Sequence, residues 1–307
     1  MRLLIYIILP LLILSALILP ESHSQVPADS KGTEFWLTFP PNYHNNRFQS
    51  PALKYRDSLY IFIAADEPTN GSIYYYDSDT TEHVRQFSIS DPKDMYVFSN
   101  KYQKFSLNGY LEHNIDIPID QNEIPAPQHF RIVTDKDVAV YAQNQAETTS
   151  DALLVYPKDA LGMKYRIMSY HSDSFIHTPS QFAILATEDN TTIKIRVTAP
   201  THATGLDNKI AFLDAGESFL VQADSRVSSQ EYDLTGSYIE SDKPIAVFAG
   251  HQRATVPSSS ILRASRDHLI QQMIPLETWG TNAFIIPFAD ASGDRGDLKD
   301  IYRIVAA

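Results

Sequence analysis

The sequence predicts an all-β fold of tandem, β-sandwich-like repeats of roughly 110 residues each, and three observations carry that prediction. Rings and branched side chains are abundant, with 17 Tyr and 15 Phe in 307 residues, and such side chains pack well on a pleated surface. Short apolar runs follow one another from residue 30 onward, most of them closed by Gly, Pro, Asn or Asp. One segment occurs twice: TDKDVAVYAQNQ at 134–145 returns as SDKPIAVFAGHQ at 241–252.

The elements can be taken in chain order. Arg2 and the apolar run 3–19, followed by Ser22-His23-Ser24, read as a secretory signal peptide over residues 1–24, with the mature chain starting at Gln25. The first unit, 25–160, is expected to hold strands at 35–39, 59–64, 72–76, 130–133, 138–142 and 152–156. The second, 161–278, is expected to hold them at 165–168, 182–186, 192–197, 218–222, 237–239 and 245–249, with a short helical turn at 267–273. Strands at 284–288 and 302–305 would open a third unit, 279–307, which the given chain cuts short, leaving a strand edge prone to association. Six or so strands per repeat suit a sandwich, and a four-stranded propeller blade is the alternative architecture.

The repeated segment has the form of a polar turn feeding alternating apolar positions. It is therefore expected to be a hairpin corner at Asp242-Lys243-Pro244, with Val247 in the core and Val140 as its earlier equivalent. A second marker recurs as Lys31-Gly32-Thr33-Glu34-Phe35, Leu161-Gly162-Met163-Lys164-Tyr165 and Trp279-Gly280-Thr281-Asn282-Ala283-Phe284. Such repetition reads as structure built twice, so local function is sought where the copies differ. They differ at Gln143-Asn144-Gln145 against Gly250-His251-Gln252 and in the longer loop behind the second copy.

Composition excludes several classes. A net charge of −12 would repel a phosphate backbone or an anionic membrane face, which argues against nucleic acid or membrane as a partner. The chain has no cysteine, so disulfides, thiolate metal sites and Cys nucleophiles are out. Nucleophile-elbow, zinc-protease, P-loop and dinucleotide motifs are absent, and the sequence calls for no cofactor and no metal. Asp290, Asp294, Asp297 and Asp300 do not match a calcium-loop spacing and read as a solvated hairpin tip. The candidate ligand contacts are His251, Gln252, Arg263, Asp267 and His268 around the longer loop, and Tyr75 in the run Tyr74-Tyr75-Tyr76.

The run GSYIESDKPIAVFAGHQ, then DHLIQQMIPLETWG, FIIPFA and YRIVAA, resembles the N-terminal domain of the IgG Fc-binding protein family. The likeness runs from about Gly32 to Ala307. It implies a secreted or cell-surface adhesion or recognition module for a protein or glycan, not an enzyme. The family's animal members carry cysteines, one near the position of Arg266. Their absence here points to a bacterial member and away from immunoglobulin Fc as the ligand. A secreted hydrolase using His251, Asp267 and His268 is the alternative, since a His beside carboxylates suits general acid–base work.

Overall fold

The computed structural model describes residues 30–43, 58–76, 82–101, 122–145, 149–173, 176–226, 230–256, 266–286 and 301–307. Two sheets account for the named strands. The first contains β1 (Lys31–Leu37), β2 (Ser58–Ala65), β3 (Thr69–Tyr76), β4 (Glu82–Ile89) and β5 (Met95–Lys101). A two-residue β6 (Pro125–Ala126) belongs to the second sheet, and the first is completed by β7 (Phe130–Gln145) and β8 (Ser150–Val155). The second continues with β9 (Gly162–Arg166), β10 (Ser180–Ala186), β11 (Thr191–Arg196), β12 (Lys209–Leu213), β13 (Ser218–Gln222), β14 (Tyr238–Ala254) and β15 (Asp267–Gln272). The ladders joining these strands are antiparallel.

Each sheet is folded over by one long, bent strand. The first half of β7 lies between β1 and β3, and its second half lies between β2 and β8. In the same way β14 runs first between β9 and β11, then between β10 and β15. The halves belong to facing layers, so each sheet closes on itself as a sandwich. Phe35, Ile73 and Ile132 meet Ile61, Ile63 and Val140 in the first core. Tyr165, Ile195 and Ile239 meet Phe182, Ile184 and Val247 in the second. Tandem sandwich-like units are thus the observed architecture.

The repeated Asp-Lys is the bend, and this corrects the expected hairpin: residues 238–254 form a single strand. The reason lies in the side chains around the bend. Thr134 and Ser241 donate across it to the carbonyls of Lys136 and Lys243, at 2.8 and 2.6 Å. Asp135 and Asp242 accept the N–H of Asn70 and of Thr192, each at 2.8 Å, tying the bend to the start of β3 or β11. These bonds supply partners where the ladder changes neighbours, so the chain turns a corner without reversing. Val140 and Val247 are fully buried beyond it.

The glycine of the second marker is a packing joint. A Cβ on Gly32 would lie 2.5 Å from Pro157, and one on Gly162 would lie 2.4 Å from Pro275. Each proline precedes a single 3₁₀ turn, Lys158–Ala160 or Leu276–Thr278, that comes after the last strand of its unit. First strand and exit turn therefore touch through a glycine that leaves no room for a side chain.

Two further expectations are corrected. Residues 267–272 are strand β15, because His268, Ile270 and Gln272 alternate inward against β14. Residues 284–286 and 302–305 carry no strand structure, since they make no ladder among the described residues, and Phe284, Ile286 and Ile304 stand exposed. The signal-peptide residues, the aspartates at 290–300 and Arg263 lie outside the described residues.

The two sandwiches are not independent beads. Every residue of β10 and of 245–252 is buried. Alternate side chains serve different cores: Ile245, Val247 and Ala249 join the second, while Ala246, Phe248 and Leu185 join the first. At the same repeat position as Phe248 the first unit has Tyr141, which is 45% exposed against 0%. The layer of β10 and the second half of β14 is therefore shared.

Candidate functional site

Four of the expected site residues, His251, Gln252, Asp267 and His268, fall where β14 and β15 meet β8. β14 and β15 pair from Phe248↔Gln272 to His251↔Leu269, then shift register to Ala254↔Asp267. Gly250 sits against the partner backbone, and a Cβ there would lie 1.8 Å from the Leu269 carbonyl oxygen. β15 and β8 face each other edge to edge, and side chains bridge them in place of a ladder. Ser150 N–H donates to Asp267 Oδ1 at 2.6 Å, Ile270 N–H to Asp151 Oδ2 at 2.9 Å, and Tyr156 N–H to Gln272 Oε1 at 2.7 Å. Thr149 Oγ1 accepts the His268 N–H at 2.7 Å, and Asn42 Nδ2 reaches the Thr149 carbonyl at 3.2 Å.

The imidazoles lie inside this seam. His251 and His268 are 0% and 1% exposed, and Gln252 is equally buried. Arg253 N–H donates to His251 Nδ1 at 2.9 Å, which makes Nδ1 the acceptor and leaves the proton of the neutral ring on Nε2. His268 Nδ1 lies 3.1 Å from the Gln252 carbonyl, so there Nδ1 is the donor. Burial pushes His251 down to about 3, with His171 adding to the effect and Asp173 opposing it. Burial likewise pushes His268 down to about 4 against the pull of the Gln252 carbonyl. Both rings are neutral near pH 7. Burial also raises the Asp151 carboxyl, opposed by the N–H groups of Ile270 and Ala152. Asn144 Nδ2, Gln252 Nε2 and Gln272 Nε2 find no hydrogen-bond partner among the described residues, a burden of about 1–3 kcal/mol for each such buried group.

The structure therefore brings His251, Gln252, Asp267 and His268 together, but three of them lie below the surface. Asp267 is exposed, and around it stand Arg253, whose guanidinium lies 4.8 Å from the Tyr43 ring centroid, and Arg266, paired with Asp173 at 2.9 Å. Tyr75 belongs elsewhere. Its ring stacks on His83 and packs against Phe98 and Phe130 at the first core, and the outward-facing neighbour is Tyr74, beneath Arg131. Among the described residues no group of three or more His, Asp or Glu is placed to hold a metal ion. An exposed carboxylate, guanidinium groups and a ring can make polar and cation–π contacts with a partner, whereas both imidazoles are closed to solvent.

Asn42, Thr149, Asp151 and Gln272 complete the seam and had not been singled out from the sequence. One signal was available: Asn144 occupies the repeat position of His251, so a polar side chain recurs at the same strand exit, and the structure buries both.

The comparisons with known proteins agree with one another. The family model described as IgGFc binding protein matches residues 151–307, about half of the chain. The human protein named IgGFc-binding protein is 26% identical over 181 residues, covering 56% of this chain and 3% of that protein. The chain thus spans a small fraction of this relative's length.

Proposed function

The chain belongs to the IgGFc-binding protein family, and from that premise we propose that it is an extracellular, non-catalytic binding or adhesion module for a protein or glycan. The observation that carries this reading is the family match over the second sandwich and the residues C-terminal to it. The match includes β14, β15 and the loop between them. We place the contact surface around that hairpin, with Asp267 exposed, His251, Gln252 and His268 supporting it from below, and Arg263 contributing from the segment between the two strands. Tyr75 would take part through the packing of its strand. The hydrolase alternative draws little support from imidazoles that are closed to solvent and neutral at pH 7.

Export is part of the same reading. The apolar run and Ser22-His23-Ser24 within 1–24, read as a leader, support it. The lack of cysteine supports a bacterial member and a ligand other than immunoglobulin Fc. Biolayer interferometry with the exported chain against Fc fragments and glycoprotein-coated surfaces tests the proposal. Saturable retention on a glycoprotein surface is expected. No retention on any surface, together with hydrolytic turnover that disappears in His268→Asn, would favour the enzyme.

A further inference from the structure

The outer layer of the second sandwich carries two cross-strand rows on its solvent face. In the ladders of β9, β14 and β11, Lys164 and Lys194 flank Glu240, while Arg166 and Arg196 flank Tyr238. The intervening residues Tyr165, Ile195 and Ile239 point into the core, so both rows face outward. Lys164, Lys194 and Arg196 are exposed, and Arg166, Tyr238 and Glu240 are half-buried. Four cations thus surround one carboxylate on a chain whose net charge is −12.

The guanidinium groups are held in place. Arg166 lies 4.9 Å and Arg196 5.8 Å from the Tyr238 ring centroid, and Arg166 Nη1 donates to the Gly236 carbonyl at 3.0 Å. Arg166, Arg196, Tyr238 and Glu240 are among the residues lining a cavity of about 490 Å³, as are Thr198 and Leu276. That volume suits a compact ligand rather than a flat protein surface.

The first sandwich supplies an internal comparison at the same register. There Trp36, Arg131 and Tyr74 replace Arg166, Tyr238 and Arg196: one cation between two rings instead of one ring between two cations. Glu34 stands where Lys164 stands, and it accepts from Arg131 Nε at 2.9 Å. A ladder serving stability alone is satisfied by that balanced arrangement. In the second sandwich the row Glu34, Val133, Ser72 is replaced by Lys164, Glu240, Lys194, so one acid is kept while two lysines and a second arginine are added. Like-charged neighbours placed this closely repel one another, and an anion seated between them would relieve that repulsion.

We propose that this face binds an acidic saccharide, with a carboxylate or sulfate held by Arg166 and Arg196 and the sugar ring seated in the cavity. Planar guanidinium pairs match such oxyanions, and Glu240, one row away, accepts from ring hydroxyls. The inference rests on the binding-module reading and adds to it a ligand class and a place distinct from the β14–β15 hairpin.

The test is an NMR titration of the intact chain with glucuronic acid, galactose 6-sulfate and, as the neutral probe, galactose. Either acidic sugar should shift the Arg196 side chain and the Tyr238 amide, with galactose leaving both unmoved; which acid acts identifies the source of the oxyanion. Lys194→Glu/Arg196→Glu should weaken binding by about tenfold or more, Arg196→Gln should weaken it less, and Arg85→Glu on the exposed β4 should not change it. Shifts from neither acid, or equal shifts from galactose, would overturn the proposal. If instead the double variant still adheres to glycoprotein surfaces as the wild type does, this face is not the contact although the module reading stands.

Discussion

At the residue scale, the buried histidines make acid the chain's weak point. His251, His268 and His129 are pushed by burial from the ordinary 6.5 down to about 3, 4 and 4. The folded form therefore binds fewer protons than the unfolded chain, so their contribution is complete above about pH 6.5 and is lost as pH falls toward the folded values. Thermal melts between pH 7 and pH 4 should show a falling midpoint. His251→Asn, which keeps an acceptor for the Arg253 N–H and copies Asn144 of the first unit, should flatten that fall; an unchanged slope would count against the burial argument. Gly250 is a second residue-scale case. An added methyl meets the Leu269 carbonyl, so Gly250→Ala should destabilise by about 1–3 kcal/mol in denaturant titration. An unchanged midpoint would mean that β14 and β15 are less closely apposed than described. Neither position was legible as buried from the sequence, because a His or Gly at a strand exit reads equally well as a surface contact.

At the element scale, the repeated segment is a strand that changes sheets. Its apolar half was legible, since A-V-F-A and A-V-Y-A alternate as core strands do, but Asp-Lys was misread because a polar dipeptide between apolar runs also marks a hairpin. What distinguishes the bend is a hydroxyl just before the Asp and a backbone N–H from another strand reaching the carboxylate. The second of these cannot be read along the chain. Asp242→Ala should therefore raise hydrogen exchange at the Thr192 amide while leaving Val247 protected. Loss of protection throughout β14 would instead make the carboxylate essential to the strand. β4, β5 and β12 escaped notice for a related reason: Val84, Val97, Ile210 and Phe212 are exposed, so the usual inward apolar signal is diluted. The basic rows of the second outer layer were overlooked because K-Y-R and K-I-R are short, and only antiparallel pairing with β14 brings them side by side.

At the scale of the whole molecule, tandem sandwiches were legible in the sequence, but their fusion was legible only in hindsight, in Phe248 standing where the first unit has Tyr141. Removing the phenolic oxygen suits a side chain buried on what would otherwise be a solvent face. The consequence is a single rigid platform: the layer of β10 and the second half of β14 closes one core and covers the other, and the seam of β8 and β15 is stitched by side chains from both units. The contact surfaces proposed above would keep fixed relative positions on such a platform. Differential scanning calorimetry of the exported chain, wild type and Phe248→Ala, tests this most directly. The fused platform predicts one cooperative transition, with van't Hoff and calorimetric enthalpies in agreement, and a truncation that lowers the whole of it by the equivalent of about 3–5 kcal/mol. Two separate transitions, with Phe248→Ala moving one and leaving the other in place, would contradict it.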